Sequence, residues 1–340
     1  MNEFQCTTRL VCGSDALQVL RSLQAERILL VTDPFFAKIG TAERIAALCS
    51  GQVQIFSKVQ PDPSLALVTE GVELMQGLSP DLLIALGGGS AMDCAKGMHF
   101  LSGSKAQFVA IPTTSGTGSE VTSFSILSHE GTKHPLVDTA LRPNLAILDD
   151  SLLEKLPPSL VAEAGMDVIS HCIEALAAKN ASPFSNAFAV SAFRTAVELL
   201  PRSYEGDASV RSAIHCAATM AGMAFDNAGL GACHALSHAL GGAFHLPHGR
   251  LNGILLPHVI AWNRDFAPYS LLCNNLSFTL RRLRQRLQLP STLTEAGLKR
   301  ETVSSQIEAL AAAAVADPCA QSNPRPTTQQ DYVNLLRACL

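Results

Sequence analysis

The pattern of apolar residues changes at Leu156–Pro157–Pro158, and this change limits the possible folds more than any other feature of the chain. Before it, short apolar runs alternate with helix-like stretches. After it, apolar residues recur at helical spacing with almost no strand-like alternation. Strands that alternate with helices predict a parallel sheet covered by helices. We therefore expect an α/β domain over residues 1–157 and an all-helical domain over residues 158–340.

Five apolar runs predict the strands of the sheet, at residues 27–32, 53–56, 81–86, 107–111 and 145–148. The run at 81–86 is almost continuously apolar, as is typical of a strand covered on both faces. Near the other end of the chain, residues 317–328 contain three prolines and indicate a surface connection. The predicted fold class is therefore α/β plus all-α.

Composition excludes several classes of protein. The 340 residues are 47% hydrophobic and 16% charged, with a net charge of -4, whereas ordinary globular chains are about 25% charged. This balance argues against a disordered protein and against nucleic acid as the main partner. No apolar run approaches the roughly 18 residues of a membrane span, and the N-terminus lacks the pattern of a signal peptide. We expect a soluble cytoplasmic protein, with ten reduced cysteines.

Candidate metal ligands are concentrated in the helical half. They form two pairs at a spacing of four residues, followed by two further histidines: Asp167 and His171, His234 and His238, His248, and His258. A spacing of four places both members of a pair on one helix face. A lone histidine in an apolar helix is more often a packed core residue, but burying this many imidazoles without a ligand costs desolvation free energy. The set predicts a site for Fe(II) or Zn(II), and spacing does not choose between the metals or among the later histidines.

Two polar loops in the first half are candidates for a cofactor site. Gly87–Gly88–Gly89–Ser90 follows a predicted strand directly, and residues 112–120 follow the next one. Glycines at such a turn allow phosphate oxygens to approach the backbone and the start of a helix. Asp33, at the end of the first strand, suits the ribose hydroxyls of NAD. The alternatives are a plain tight turn with Ser90 as N-cap, and a turn carboxylate beside Pro34.

Taken together, these segments resemble the iron-containing (group III) alcohol dehydrogenase family. The similarity is carried by residues 87–96, 111–122, 165–175 and 228–258. Finer details in residues 7–10, 87–96 and 241–249 are similar to the propanol dehydrogenase branch associated with bacterial microcompartments. The resemblance implies a Rossmann-like α/β dinucleotide-binding domain followed by a helical metal-binding domain, in an architecture like that of dehydroquinate synthase.

The resemblance also implies roles for individual residues. Asp167, His171, His234 and His248 align with the metal ligands, and His238 falls on a nearby histidine that binds substrate or relays a proton. The positions implied around NAD are Asp33, Gly88, Gly89, Ser90, Asp93, Thr113, Thr114, Ser119, Lys133 and Leu153. Six histidines match no ligand position: His99, His129, His134, His215, His245 and His258.

The function implied is a metal-dependent NAD(H) alcohol dehydrogenase. Its substrates would be short-chain primary alcohols and aldehydes, propanol and propionaldehyde or ethanol and acetaldehyde, with aldehyde reduction regenerating NAD. The alternatives on the same fold are a glycerol dehydrogenase-like polyol oxidoreductase and a dehydroquinate synthase-like lyase. The expected cofactors are NAD and Fe(II), with Zn(II) as the other metal. The expected partners are a second copy of the chain, forming a dimer, and an aldehyde dehydrogenase or shell proteins of a microcompartment, with no nucleic acid and no membrane.

Overall fold

The computed structural model describes residues 3–129 and 132–340, apart from the side chains of residues 132 and 133. Contacts between Cα atoms divide the chain into two compact units. Cys6–Lys155 forms the first, here called the α/β unit, and Leu156–Leu340 forms the second, the helical unit. Residues 3–5 belong to the helical unit: the Phe4 ring stacks on Phe188 at 5.6 Å, and the amide of Gln5 donates to Asn227.

A six-stranded parallel sheet forms the centre of the α/β unit, in the order β1-β8-β5-β4-β2-β3. An antiparallel pair, β6 and β7, lies outside it. The strands are β1 (Arg9–Cys12), β2 (Arg27–Thr32), β3 (Gln52–Phe56), β4 (Leu82–Gly87), β5 (Gln107–Pro112), β6 (Phe124–His129), β7 (Thr132–Val137) and β8 (Leu145–Leu148). The five strands expected from the sequence are confirmed, with β4 and β8 buried along their whole length.

Four α-helices accompany the sheet: α1 (Pro34–Lys38), α2 (Thr41–Ala46), α3 (Leu65–Leu78) and α4 (Gly89–Ser102). Each face of the sheet has its own apolar core. One contains Met98 of α4 with alternate residues of β2, β4 and β5, and the other contains Ile45 of α2 with the remaining ones. Alternate side chains of a strand point to opposite faces of the sheet. Because both faces are covered, the side chains on each face are apolar.

The order of the strands creates a reversal between β2 and β4. The chain moves from β2 to β3 on one side, and from β4 to β5 on the other. Such a reversal leaves a crevice at the carboxyl ends of the two strands, where α/β sheets bind ligands. Asp33 follows β2 and Gly88 follows β4 at this crevice, and Thr113 follows the neighbouring strand β5.

Nine α-helices make up the helical unit, and the part of it that the structure describes contains no strand. They are α5 (Pro158–Ala177), α6 (Pro183–Tyr204), α7 (Arg211–Ala228), α8 (Ala232–Phe244), α9 (His248–Trp262), α10 (Leu276–Arg286), α11 (Arg300–Ala316), α12 (Pro318–Ser322) and α13 (Gln329–Ala338). The predicted fold class, a parallel α/β sheet followed by helices, is confirmed. Of the helices described, none combines the length and the apolar character needed to cross a bilayer.

The expectation of a surface connection at residues 317–328 holds for exposure, since only Ala320 and Asn323 are buried, but it missed a short helix. The segment begins with the short helix α12, capped by the Asp317 carboxylate, which accepts the amide of Cys319 at 2.8 Å. Asn323 is fully buried and accepts the amide of Ala232, at the first residue of α8. Buried polar groups need hydrogen-bond partners, and Asn323 has them, so this proline-rich segment is part of the packed helical unit.

Candidate functional site

The first candidate site is built from three helices of the helical unit. Helix α5 places Asp167 and His171 one turn apart, α8 carries His234, and α9 has His248 as its first residue. A proline precedes each of α5 and α9, and its ring fixes φ near the value found in helices. Asp167, His171 and His234 are buried, whereas 36% of the His248 side chain is exposed.

One oxygen lies at the centre of this site. Asp167 Oδ1 is 3.6 Å from His171 Nε2, 3.7 Å from His234 Nε2 and 3.6 Å from His248 Nε2. In tetrahedral coordination with metal–ligand bonds of about 2.1 Å, neighbouring ligand atoms are about 3.4 Å apart. The observed separations are therefore close to those that a bound transition metal requires. The Nε2 atoms of all three predicted histidine ligands therefore lie near one oxygen of Asp167.

Within this set, Asp167, His234 and His248 form the tightest group, with their ligand atoms all within 4.8 Å of one another. His171 is not in that group, although its Nε2 faces the same carboxylate oxygen. Its ring stacks on His234, with centroids 4.7 Å apart, and lies 4.4 Å from the ring of Phe225. The stacking holds His171 beside the group.

Two buried residues fix the orientation of the ligands. The Glu174 carboxylate accepts from His234 Nδ1 at 2.7 Å and from the amides of Gly231, Cys233 and His234 at the start of α8. Asn252 Nδ2 donates to Asp167 Oδ1 at 2.8 Å. When the Nδ1–H of a neutral histidine donates to a carboxylate, the lone pair of the ring is on Nε2. In His234 this is the atom that faces Asp167.

Our sequence reasoning gave neither Glu174 nor Asn252 a role. A signal was present for Glu174, which lies seven residues after Asp167 and three after His171, on the same face of α5. Asn252 lies one turn after His248, so the same spacing rule would have drawn attention to it.

The electrostatics of the site favour positive charge. Burial by itself raises the pKa of Asp167, but the neighbouring imidazoles of His171, His248 and His234 outweigh it and the pKa is lowered. Burial lowers the pKa of His234, yet the neighbouring carboxylates of Asp167 and Glu174 outweigh it and raise the pKa to about 9. Two carboxylates therefore stabilise a cationic charge at this position, and a divalent ion is a charge of the same sign. The donor set fits Fe(II) or Zn(II).

His238 lies beside the ligands without joining them. Its ring stacks on His248, with centroids 5.2 Å apart, and its Nδ1 is 2.8 Å from Asp317 Oδ2. Asp317 is a third residue that sequence reasoning missed, because it follows a run of alanines and precedes prolines. The six histidines without a predicted role lie on other elements or other turns: His99, His129, His134, His215, His245 and His258.

The second candidate site is the reversal in the α/β unit. Helix α4 begins at Gly89 with Gly88 as N-cap, so its first amides face the end of β4. Gly87 has φ of +149°, which only glycine adopts readily, and a Cβ there would lie 2.6 Å from Ala91. Ser90 is inside the first turn, and the alternative of Ser90 as N-cap is therefore wrong. The start of α4 therefore follows β4 directly across a glycine turn, an arrangement of the kind that binds phosphate.

The polar loop after β5 covers this turn. A Cβ at Gly88 would be 3.4 Å from Thr114 Oγ1, and one at Gly89 would be 3.0 Å from Thr117 Cγ2. Thr113 donates its amide to the carbonyl of Gly87 at 3.0 Å. The predicted cofactor residues in the glycine turn and in this loop therefore lie together.

A fully buried lysine, Lys96 on α4, holds the loop in place. Its Nζ donates to Ser119 Oγ at 3.0 Å, Thr122 O at 2.8 Å and Phe124 O at 2.8 Å. Ser119 also donates weakly to Asp93 Oδ1, at 3.4 Å. Asp93 and Ser119, both predicted near NAD, are thus joined to each other and to Lys96.

The remaining predicted cofactor residues are placed differently. Asp33 Oδ1 caps α1 by accepting the amides of Phe35 and Phe36, while a Cβ at Gly87 would lie 3.7 Å from Oδ2. The carboxylate is therefore a helix cap beside the glycine turn. Leu153 lies in a turn after β8, a strand that β5 separates from β4. Lys133 is within β7, and its side chain is outside the described residues.

Comparison with known proteins shows the family of the chain. Residues 7–150 match the family described as iron-containing alcohol dehydrogenase, and residues 161–340 match the C-terminal part of the Fe-containing alcohol dehydrogenase family. The two matches cover most of the chain.

Individual proteins show the same similarity. The 1-propanol dehydrogenase PduQ of Salmonella typhimurium is 39% identical, with 100% of both chains aligned. The NADPH-dependent butanol dehydrogenase of Clostridium saccharobutylicum is 34% identical over 97% of this chain and 96% of its own. A solved iron-containing alcohol dehydrogenase from Thermococcus thioreducens is 30% identical, with a TM-score of 0.93 over 99% of each chain.

Proposed function

Since the chain belongs to the iron-containing alcohol dehydrogenase family, we propose that it interconverts short-chain primary alcohols and aldehydes with NAD(H) as the hydride carrier. The observation that carries this proposal is the position of Asp167 Oδ1, which lies 3.6–3.7 Å from three imidazole Nε2 atoms. We propose Asp167, His171, His234 and His248 as the ligands of Fe(II), with Zn(II) as the other candidate. When bound, the ion supplies Lewis-acid stabilisation of negative charge on the substrate oxygen.

The residues around the ligands prepare them for this task. Glu174 holds His234 in the tautomer that offers Nε2, and Asn252 restricts Asp167 by donating to its Oδ1. A fixed ligand set loses little conformational freedom when it binds an ion or positions a substrate.

His238 is our candidate for moving the alcohol proton. Its Nδ1–H donates to Asp317 Oδ2, which leaves Nε2 as the proton acceptor of the ring. Imidazole titrates close to neutral pH and suits both directions of proton transfer. Asp317 is the positioning residue that selects this tautomer.

We assign NAD(H) rather than NADP(H) to the α/β unit because of Asp33. A carboxylate at the end of β2, beside the glycine turn, accepts hydrogen bonds from ribose hydroxyls and repels a 2′-phosphate. The 34% identical butanol dehydrogenase is NADPH-dependent, so the choice is open to test. The domain roles proposed are NAD binding by residues 1–157 and metal binding by residues 158–340.

The charge around the metal site favours a small uncharged substrate. Helices α5 and α8 contain no lysine or arginine. The one arginine of α9, Arg250, donates its Nε to Glu163 at 2.9 Å. A lyase of the dehydroquinate synthase kind needs cations for a substrate phosphate, and these helices do not supply them. A polyol oxidoreductase of the glycerol dehydrogenase kind remains the second candidate, because polyols are also uncharged.

The proposal is tested by metal analysis and activity of the purified protein. We expect iron or zinc at one ion per chain, and reduction of propionaldehyde and acetaldehyde that is faster with NADH than with NADPH. The variant His234→Ala should lose the metal and the activity, whereas His238→Ala should keep the metal and turn over about 100-fold more slowly. Full metal content and activity in His234→Ala would contradict the ligand assignment, and glycerol oxidation at a higher kcat/KM than propanol oxidation would favour the second candidate.

The surroundings of the protein in the cell follow from the same proposal. We propose residence in the cytoplasm within a bacterial microcompartment, assembly as a homodimer, and contact with an aldehyde dehydrogenase or shell proteins. The identity of 39% with the 1-propanol dehydrogenase PduQ supports this context. Co-purification of a tagged chain with shell proteins from the native host would test it.

A further inference from the structure

The helical unit contains a second cluster of ligand-type side chains, made of His238, Asp317 and Cys319. One ligand atom from each lies within 4.8 Å of the others. They come from two elements: His238 from α8, and Asp317 and Cys319 from the N-cap and the first turn of α12. All three are partly exposed, so a cation from solvent reaches them without unfolding of the chain.

The contacts within the cluster leave a place for an ion. Asp317 uses Oδ1 to accept the Cys319 amide and Oδ2 to accept His238 Nδ1, both at 2.8 Å. The bond to the amide holds the short helix α12 and does not involve the thiol. A cation therefore replaces the hydrogen bond between His238 and Oδ2 and the contact of the Cys319 thiol with the same carboxylate, while the amide cap of α12 stays intact.

We propose that His238, Asp317 and Cys319 form a second metal site, selective for a soft divalent cation of the Zn(II) class. Sulfur, imidazole nitrogen and carboxylate oxygen are the three donor types that Zn(II) accepts, and the sulfur distinguishes this set from the carboxylate and imidazoles around Asp167. Three protein ligands leave the fourth position of a tetrahedral ion to water.

Binding at this site moves two protons. The thiol of Cys319 releases its proton to solvent as the sulfur–metal bond forms. The proton on His238 Nδ1 must also leave that atom, and in a neutral ring it is relocated to Nε2. The ring then carries N–H where it previously had its acceptor lone pair.

This change has a consequence for turnover, which rests on the proposed function. A ring with Nε2–H cannot accept the alcohol proton at that atom. The second site is therefore inhibitory: zinc there slows the enzyme without displacing the ion held by Asp167.

Spectroscopy of the metal-loaded protein, titrated with Co(II) as the probe, tests the binding. A sulfur ligand gives Co(II) an intense near-ultraviolet charge-transfer band that nitrogen and oxygen ligands do not produce. We expect the band in the wild type and its loss in Cys319→Ser. The matched control is Cys273→Ser, which changes another partly buried cysteine, one that contacts Thr279. A band that persists in Cys319→Ser, or that never appears in the wild type, overturns the proposal.

Zinc inhibition tests the consequence. At a Zn(II) concentration that lowers the wild-type rate tenfold, Cys319→Ser should retain more than half of its own zinc-free rate, and Cys273→Ser should behave like the wild type. Equal inhibition of all three proteins would overturn the inhibitory role. The Co(II) band needs no alcohol turnover, so a protein with the band and without dehydrogenase activity would refute the proposed function and keep the second site.

Discussion

Glu174 shows how much one residue outside the ligand set determines. Its carboxylate accepts the Nδ1–H of His234 and three amides at the start of α8, so it sets both the tautomer of a ligand and the position of the helix that carries it. Hydrogen bonds of this kind to a carboxylate are charge-assisted and stronger than neutral ones.

The variant Glu174→Gln keeps the shape of this residue and removes its charge. We expect metal affinity to fall about 10- to 100-fold, because the amide competes poorly for Nδ1–H and no longer favours the Nε2 lone pair. Dialysis against graded chelator, followed by metal analysis, measures the change. Glu198→Gln, an exposed carboxylate on α6, is the control. Unchanged affinity in Glu174→Gln would show that the tautomer is set elsewhere.

Among single residues, the sequence predicted the candidate ligands that the structure brings close together, but not the residues that hydrogen-bond to them. A spacing of four residues identified Asp167 with His171 and His234 with His238, because helix geometry converts spacing into proximity. Asp317 lies 79 residues after His238, and no local rule connects positions so far apart. Lys96 lies in an apolar helix, and nothing in the neighbouring sequence predicts that its hydrogen-bond acceptors lie 23 to 28 residues later in the chain.

At the scale of the elements, helices α9 and α5 pack so closely at Gly249 that no side chain fits between them there. A Cβ at Gly249 would lie 1.9 Å from the carbonyl oxygen of Glu163 on α5. Only glycine permits this approach, and it brings His248, one residue earlier, to the carboxylate of α5.

Gly249→Ala should therefore push α9 away from α5. Overpacking of this kind costs about 1–3 kcal/mol, and we expect a lower melting temperature together with a loss of bound metal. In contrast, the methyl group added by Gly242→Ala on α8 would have no atom within 4 Å. This variant should leave the free energy of unfolding unchanged or raise it by up to about 1 kcal/mol. Thermal unfolding and metal analysis of the two variants give the comparison, and equal behaviour would refute the close packing.

Hydrogen bonds from Lys96 hold helix α4 to the chain segment after β5. Lys96→Met removes a buried donor and leaves the carbonyls of Thr122 and Phe124 without it. We expect a loss of about 2 kcal/mol in the free energy of unfolding and a weaker affinity for NADH, with metal content unchanged. Lys105→Met, an exposed lysine near the end of the same helix, is the control. Calorimetric titration with NADH measures the affinity, and wild-type binding by Lys96→Met would exclude the positioning role.

The sequence predicted central strands better than peripheral ones. Strands β2, β4, β5 and β8 are continuous apolar runs, because both of their faces are covered. Strand β1 is a short edge strand with mostly exposed residues, and the β6–β7 pair contains Ser125, Ser128 and Pro135, so neither carries a strong apolar pattern. The short helix α12 at the start of residues 317–328 was missed because Pro318 begins a capped helix, a context that composition alone does not reveal.

At the scale of the whole molecule, the two units should respond separately to their ligands. A ligand that binds only the folded state stabilises it, so chelation of the metal should lower the stability of the helical unit. We expect faster amide hydrogen exchange in α5, α8 and α9 after chelation, with the protection of β4 and β5 retained. NADH should increase protection at the start of α4 in both metal-loaded and metal-free protein. Equal loss of protection in the sheet after chelation would show that the units do not respond separately.

His248 has a consequence for which metal the protein carries. Its side chain is 36% exposed, more than those of the other candidate ligands, and it begins its helix, so we expect an ion to enter and leave on its side. Three of the four contacts would persist while this one opens and closes. We therefore expect ions to exchange with the medium without melting of the helices, and the occupant to reflect supply in the growth medium as much as intrinsic preference. Preparations from iron-poor and iron-rich cultures would then differ in colour and activity although their polypeptides are identical.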